Sequence, residues 1–184
     1  VNGASTASSA GALTVTDVAS GTNGNIVLST SSGDITGLAT VNAGSGNVTL
    51  NSAGAIVDDG SSGTVITGGV LTADAAGAIT IDSTVTSANI STSAAGAVDL
   101  DETDAITLTD VDTNDGSITV DAGGLITATD VVASGGSGDS VTLSTTTGGA
   151  VATLVTGADA VSITANAGDI TIGSVTATAG TLGV

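Results

Sequence analysis

The stretch Asp104-Ala-Ile-Thr-Leu-Thr-Asp-Val111 carries the pattern that decides the fold. Apolar Ile106 and Leu108 alternate with threonines, which is the period of a β-strand with one buried face. The same phrase stands at Gly11-Ala-Leu-Thr-Val-Thr-Asp-Val18, and variants of it recur along the chain. β-Branched residues, Gly, Asn, Asp and Ser surround the copies and disfavour helix. The sequence therefore predicts an all-β protein.

The copies recur at a nearly constant distance of about 22 residues, which is typical of solenoid repeats. Each repeat holds about three short strands separated by turn residues, as expected for one coil of a parallel β-helix. We expect about eight coils in a single β-solenoid domain over residues 11–184, preceded by an irregular segment over residues 1–10. The repeats begin at Gly11, Gly33, Gly54, Gly77, Asp104, Gly124, Gly149 and Gly168, and those at Gly54 and Gly77 fit least well.

The fifth and sixth repeats predict which side chains face the interior. Equivalent residues of neighbouring coils should stack about 4.8 Å apart. An array of immunoglobulin-like sandwiches is the main alternative, but it would need domains of about 100 residues with large cores. The short period and the absence of aromatic residues favour the solenoid. The inward residues are expected to be Ile106, Leu108, Val111, Ile118 and Val120, stacked on Ile126, Ala128, Val131, Val141 and Leu143.

The composition excludes several classes of function. The chain contains no Lys, Arg, His or Cys. Most nucleophilic and general-base chemistry depends on these residues, so we expect no enzymatic activity and no required cofactor. The net charge of −18, from 17 Asp and Glu102, would repel nucleic acid. No apolar run approaches the length of a membrane span, so none is expected.

An acidic segment suggests a calcium site. Asp110-Val-Asp-Thr-Asn-Asp-Gly116 resembles the opening of a calcium-binding loop, Asp-x-Asp-x-Asn. Calcium takes six to eight oxygen ligands, which alternating carboxylates can supply. The glycine comes one position late for that loop. The candidate ligands are Asp110, Asp112, Asp115 and Asp130, the last expected beside Asp110 in the next coil. The alternative is a solvated acidic turn.

Two further polar patterns follow the repeat. Asn25 and Asn47 lie one repeat apart and would form a short asparagine ladder, or else are two polar residues beside turns. Six threonines are expected at one outward position. Flat threonine ladders resemble the ice-binding face of some solenoid antifreeze proteins, although the β propensity of threonine explains them equally. These threonines are Thr14, Thr36, Thr80, Thr107, Thr127 and Thr171.

The Gly-x-Ile-Thr-Leu phrases, such as Gly46-Asn-Val-Thr-Leu50 and Gly116-Ser-Ile-Thr-Val120, resemble the repeat regions of filamentous-haemagglutinin-type bacterial surface proteins. The resemblance covers nearly the whole chain. It implies a right-handed parallel β-helix, a location outside the cell or on its surface, and a role as a shaft segment or filament subunit. A calcium-dependent adhesin module and an ice-binding solenoid are the alternative functions.

The ends of a β-helix expose unpaired backbone groups, which natural solenoids cover with caps. Residues 1–10 show no amphipathic helical pattern, and residues 168–184 stay in repeat register. We therefore expect the edges to be covered from outside this sequence. The partner would be another copy of the chain, stacked head to tail, or the continuation of a longer solenoid.

Overall fold

Twenty short strands, and no helix, make up the described part of this computed structural model, which covers residues 3–21, 23–61, 63 and 65–184. The first ten strands are β1 Ser5–Ser9, β2 Leu13–Thr14, β3 Val18–Ala19, β4 Ile26–Thr30, β5 Ile35–Leu38, β6 Val41–Asn42, β7 Val48–Ser52, β8 Ile56–Asp58, β9 Ile66–Ala75 and β10 Ile79–Ala95. The others are β11 Val98–Glu102, β12 Ile106–Asp115, β13 Ile118–Ala122, β14 Ile126–Ala128, β15 Val131–Ala133, β16 Val141–Thr145, β17 Ala150–Gly157, β18 Val161–Ala165, β19 Ile170–Ala177 and β20 Leu182–Gly183.

All pairings between these strands are parallel, and each strand pairs with strands about one turn away along the chain. The predicted parallel β-solenoid is therefore confirmed, with about nine turns rather than eight. Successive turns place apolar residues directly over one another, as in the stack of Ile118 on Val141 and Val141 on Val161. This stacking produces one apolar core that runs through the whole rod.

Each turn has three sides, which we name A, B and C in chain order. Side A contains β1, β4, β7 and β15, side B contains β2, β5, β8, β11, β13, β16, β18 and β20, and side C contains β3, β6 and β14. The longer strands continue around corners. β10 covers sides B, C and A in one run, while β9, β12, β17 and β19 each cover sides C and A.

The predicted inward register is confirmed. Ile106 pairs with Ile126, Val111 with Val131, and Ile118 with Val141. The ten residues predicted to face inward are all at most 2% exposed. Because side chains alternate along a strand, the intervening residues of these strands face solvent.

The repeat frame read from the sequence needs a correction. The phrase that opens the early repeats lies on side B, as at Ile35 and Ile79, but the same phrase lies on side C at Ile106 and Ile126. The apparent 27-residue repeat over 77–103 is a 19-residue turn, from Ile79 to Val98, followed by a step to the next side. All three sides need the same half-buried strand pattern, so the pattern does not distinguish them.

The first residues also differ from expectation. The segment 1–10 was expected to be irregular, but β1 pairs with β4 in register, from Ser5 on Ile26 to Ser9 on Thr30. The physical reason is that a Ser/Ala-rich strand needs little apolar surface of its own when Ile26 and Leu28 beneath it form the core.

Small residues and hydroxyls shape the corners. Thr30 Oγ1 donates to the carbonyl of Gly33 (2.8 Å), and Ser52 Oγ donates to that of Ala55 (2.9 Å). Gly33 has a φ of 86°, which only glycine adopts without strain. Gly116 lies so close to Gly96 that a Cβ would come within 2.4 Å of its carbonyl oxygen. These corners therefore require glycine for both conformation and space.

Candidate functional site

Two groups of carboxylates on the outer surface are the candidates for a functional site. The first is the predicted calcium cluster on side A. Pairing of Val111 with Val131 places Asp110 and Asp130 at adjoining positions of neighbouring turns, while Asp112 lies beside Val132. Asp115 lies near the end of β12, where its Oδ1 accepts the N–H of Gly136 (3.3 Å).

The charges that act on Asp112 also connect it with Asp110 and Asp130 and not with Asp115. The pKa of Asp112 is raised to about 6, first by burial and then by the charges of Asp110 and Asp130. Asp130 Oδ1 is buried and has no hydrogen-bond partner among the described residues. The structure thus groups Asp110, Asp112 and Asp130, whereas Asp115 belongs to the neighbouring corner. Within the described ranges, no three acidic side chains are already arranged to hold a metal ion.

The second group is a column of aspartates on side B, which we name the aspartate column: Asp82, Asp101 and Asp121. Asp82 pairs with Asp101, and Asp101 pairs with Asp121, so three turns carry a carboxylate at the same outward position. The pKa of Asp101 is raised by burial and then by the charges of Asp82, Asp99, Asp121 and Asp58. With no cationic side chain in the sequence, these charges have no protein counterion.

The opening phrases of the repeats do not predict the aspartate column, because their frame moves to the next side between Gly77 and Asp104. The sequence nevertheless contains a pattern that indicates this column. Each aspartate follows an apolar residue at the same place in a side-B strand: Ile81-Asp82, Leu100-Asp101 and Val120-Asp121. Aligning these dipeptides, rather than the opening phrases, would have found it.

Glu102 lies beneath this column and has a different role. It is 4% exposed, and its Oε2 accepts the Ser83 hydroxyl (2.7 Å) and the Val85 N–H (3.1 Å). Its Oε1 accepts the N–H of Asp104 (3.1 Å). Burial raises its pKa, although these three hydrogen bonds oppose the shift. Glu102 therefore ties two turns together at a corner.

The six threonines expected in one column divide between two sides. Thr14 pairs with Thr36 on side B, whereas Thr107 pairs with Thr127 on side C. Thr80 has Val57 and Asp99 as its neighbours instead of threonines. The regular ladder on which the ice-binding hypothesis depends is therefore not present in these strands.

The asparagine ladder is present. The N–H of Asn47 donates to Asn25 Oδ1 (2.9 Å), and the N–H of Val70 donates to Asn47 Oδ1 (3.2 Å). Each asparagine thus supplies an acceptor to the backbone of the following turn at a corner, where the backbone turns away from the ladder.

Among the residues that the structure describes, no helix is long and apolar enough to cross a membrane. Comparison of the chain with family models, with curated proteins and with solved structures finds no match. The repeat architecture implied by the resemblance to surface-protein repeats is therefore shown by the fold alone.

Proposed function

We propose that this chain is a structural β-solenoid located outside the cell, serving as a shaft segment or filament subunit of a large bacterial surface protein. The observation that carries the proposal is the unbroken core. Buried aliphatic residues stack from Val15 to Ile163, and partly buried ones extend the core into the first and last turns. Such a rod resists bending because each turn is hydrogen-bonded to the next along all three sides.

The outer surface supports the same role. Its polar side chains are hydroxyls, amides and carboxylates with no cationic group, so it offers no nucleophile–base pair of the usual kinds. The proposal therefore includes no catalytic activity. The extracellular location comes from the family resemblance and not from the fold.

Small-angle scattering and negative-stain microscopy of the purified chain test the rod. Nine turns at about 4.8 Å each predict a rod about 43 Å long. A compact sphere or an expanded coil would contradict the proposal. For the location, antibodies against the chain should label intact cells of the source organism. Labelling only after permeabilisation would contradict an extracellular position.

A calcium-dependent adhesin module is the second candidate, favoured by the buried, unpartnered Asp130 Oδ1 beside Asp110 and Asp112. The side chains of Asp110, Asp112 and Asp130 would have to move toward one another to bind the calcium ion together. Millimolar calcium should then raise the melting temperature more than sodium does at equal ionic strength. Asp130→Asn should abolish the difference, whereas Asp99→Asn, on side B, should keep it. Equal effects of the two salts on the unmodified chain would contradict the site.

A further inference from the structure

One corner of the rod contains a buried glutamate. Glu102 pairs with Ser83 in the preceding turn and with Ala122 in the following one, and Thr145 comes next in the same inward column. Glu102 is the one ionisable residue of these four. Thr145 Oγ1 instead donates to the carbonyl of Gly148 (2.6 Å), so neutral groups complete the corner two turns later.

The hydrogen bonds of Glu102 join two turns. Its Oε2 accepts the hydroxyl of Ser83 and the N–H of Val85 in the preceding turn, and its Oε1 accepts the N–H of Asp104 in its own turn. A serine hydroxyl can both donate and accept a hydrogen bond. A proton on Glu102 Oε2 can therefore be donated to Ser83 Oγ while both N–H groups keep their acceptors. The neutral side chain thus keeps all three contacts.

The ionised side chain keeps the same contacts but lies among like charges. A recess of about 330 Å³ opens at this corner, and Glu102 lines it together with the aspartate column. The sequence has no cationic side chain that could balance these carboxylates. A buried charge without a counterion is costly, so this corner favours the neutral form. The acidic groups around the corner are Asp58, Asp82, Asp99, Asp101, Asp104 and Asp121.

We propose that Glu102 acts as a pH-sensitive latch between these two turns, closed when it is protonated and easier to open when it is ionised. Opening here means that residues 83–85 separate from residues 102–104 while the rest of the rod stays folded. The inference concerns the fold alone, so it does not depend on the proposed role as a shaft or filament.

The direction of the pH dependence follows from the burial of Glu102. Burial is the main cause that raises its pKa, and the charge of Asp104 adds to the rise, while the three hydrogen bonds oppose it. The closed corner therefore binds the proton more tightly than the open corner, where the carboxyl has its ordinary pKa of 4.5. Closure is strongest below pH 4.5 and weakens as the pH rises through the raised pKa.

Nuclear magnetic resonance can measure the proton and the opening separately. Glu102 is the only glutamate of the chain, so selective ¹³C labelling of glutamate gives one carboxyl signal, whose titration reports its pKa. Hydrogen exchange, corrected for the intrinsic rate at each pH, measures the protection of the Val85 and Asp104 amides. Protection of both should fall severalfold as the pH rises, with the same midpoint as the ¹³C signal. The amide of Ile26, which donates to Asn47 in a distant part of the rod, should change much less.

Two variants assign the effect to Glu102. Glu102→Gln cannot ionise and should remove the pH dependence at Val85. Its single acceptor oxygen cannot serve all three donors, so exchange of the Asp104 amide should also become faster at every pH. Asp101→Asn removes the neighbouring outward charge from the same strand and should keep the pH dependence.

Several results would overturn the latch. These are a ¹³C midpoint at or below 4.5, protection of Val85 that does not follow the ¹³C titration, and a pH dependence that survives Glu102→Gln. Loss of the pH dependence in Asp101→Asn but not in Glu102→Gln would assign it to the aspartate column instead. If Glu102→Gln does not fold, the ¹³C titration and the exchange of the unmodified chain still decide the question.

Discussion

At the scale of single residues, most inward positions carry aliphatic side chains, because each packs on similar side chains of the turns before and after it. Ile118 is fully buried between Val98 and Val141. The outward carboxylates differ, because the sequence has no cationic side chain that could neutralise them. Substitution of an inward residue and of an outward carboxylate should therefore each change the stability of the fold.

Replacing Ile118 with Asp should destabilise the chain by several kcal/mol, because it buries a charge with no partner. Urea unfolding followed by circular dichroism measures the loss. Thr142→Asp adds the same charge at an outward position between Thr119 and Ser162, and should cost far less. Equal losses for the two variants would mean that the register is wrong.

Asp112 should make the protein more stable in mild acid. Its pKa is raised from 3.8 to about 6, so the folded state holds the proton more tightly than the unfolded chain. This stabilisation is complete below pH 3.8 and is lost as the pH rises through about 6. Asp112→Asn should therefore raise stability at pH 7, on the order of 1 kcal/mol after allowance for solvent screening, and flatten the decline between pH 4 and about 6.

Thermal melts from pH 4 to pH 8 test this expectation. Asp17→Asn, which removes one charge from the first turn, controls for net charge. If the two variants change the pH profile by the same amount, the effect of Asp112 is only that of total charge.

At the scale of elements, the corners hold neighbouring strands in register through side chains as well as through the backbone. The asparagine ladder links three successive turns on side A. Before the side-B strands, Asp34 Oδ1 accepts the N–H of Ala55 and Ser117 Oγ accepts the N–H of Ser140, each from the following turn. The two acidic groups lie on the strands between these corners, where their repulsion acts across the same inter-turn contacts.

Asn47→Ala should cost about 1 kcal/mol, because the N–H of Val70 loses its acceptor at the corner. Hydrogen exchange measured by mass spectrometry should show faster exchange around Val70 and unchanged exchange in the distant side-B strand β16. Asn51→Ala, at an outward position in the strand β7 that follows Asn47, is the control and should leave this exchange unchanged. Protection of Val70 that survives the Asn47 change would contradict a role for the ladder.

At the scale of the whole molecule, stability is a sum of similar interfaces between turns, opposed by one-signed charge. The rod has 18 acidic groups and no basic side chain. The raised pKa values of Asp58, Asp101 and Glu102 have burial as their main cause, with neighbouring carboxylates adding to each. Screening should therefore stabilise the fold as a whole.

The melting temperature should rise steadily with sodium chloride from about 0.01 M to 1 M, as the screening length falls from roughly 30 Å to 3 Å. Differential scanning calorimetry measures the change. Asp101→Asn, which removes the middle charge of the aspartate column, should reduce the salt dependence. A melting temperature that does not depend on salt would show that the carboxylates are already neutralised, by protons or bound cations.

The sequence by itself determined the strand class, the parallel stack and the inward register, because alternation at a constant spacing allows few other arrangements. Ile106, Val111 and Ile118 were predicted on their stacking partners, and they lie there. The close approach of Asp110 to Asp130 was also predictable, since it follows from the same register.

Only the tertiary structure decided which side of the rod each phrase occupies. Three equivalent sides accept the same local pattern, so a step of one third of a turn leaves no trace in the alternation. Because of that step, the repeat phrases did not predict the ninth turn or the aspartate column of Asp82, Asp101 and Asp121. The same step places the six threonines on two different sides of the rod. Stacking depends on which residues are one full turn apart, and this distance varies from 17 residues between Leu71 and Ala88 to 25 between Val41 and Ile66.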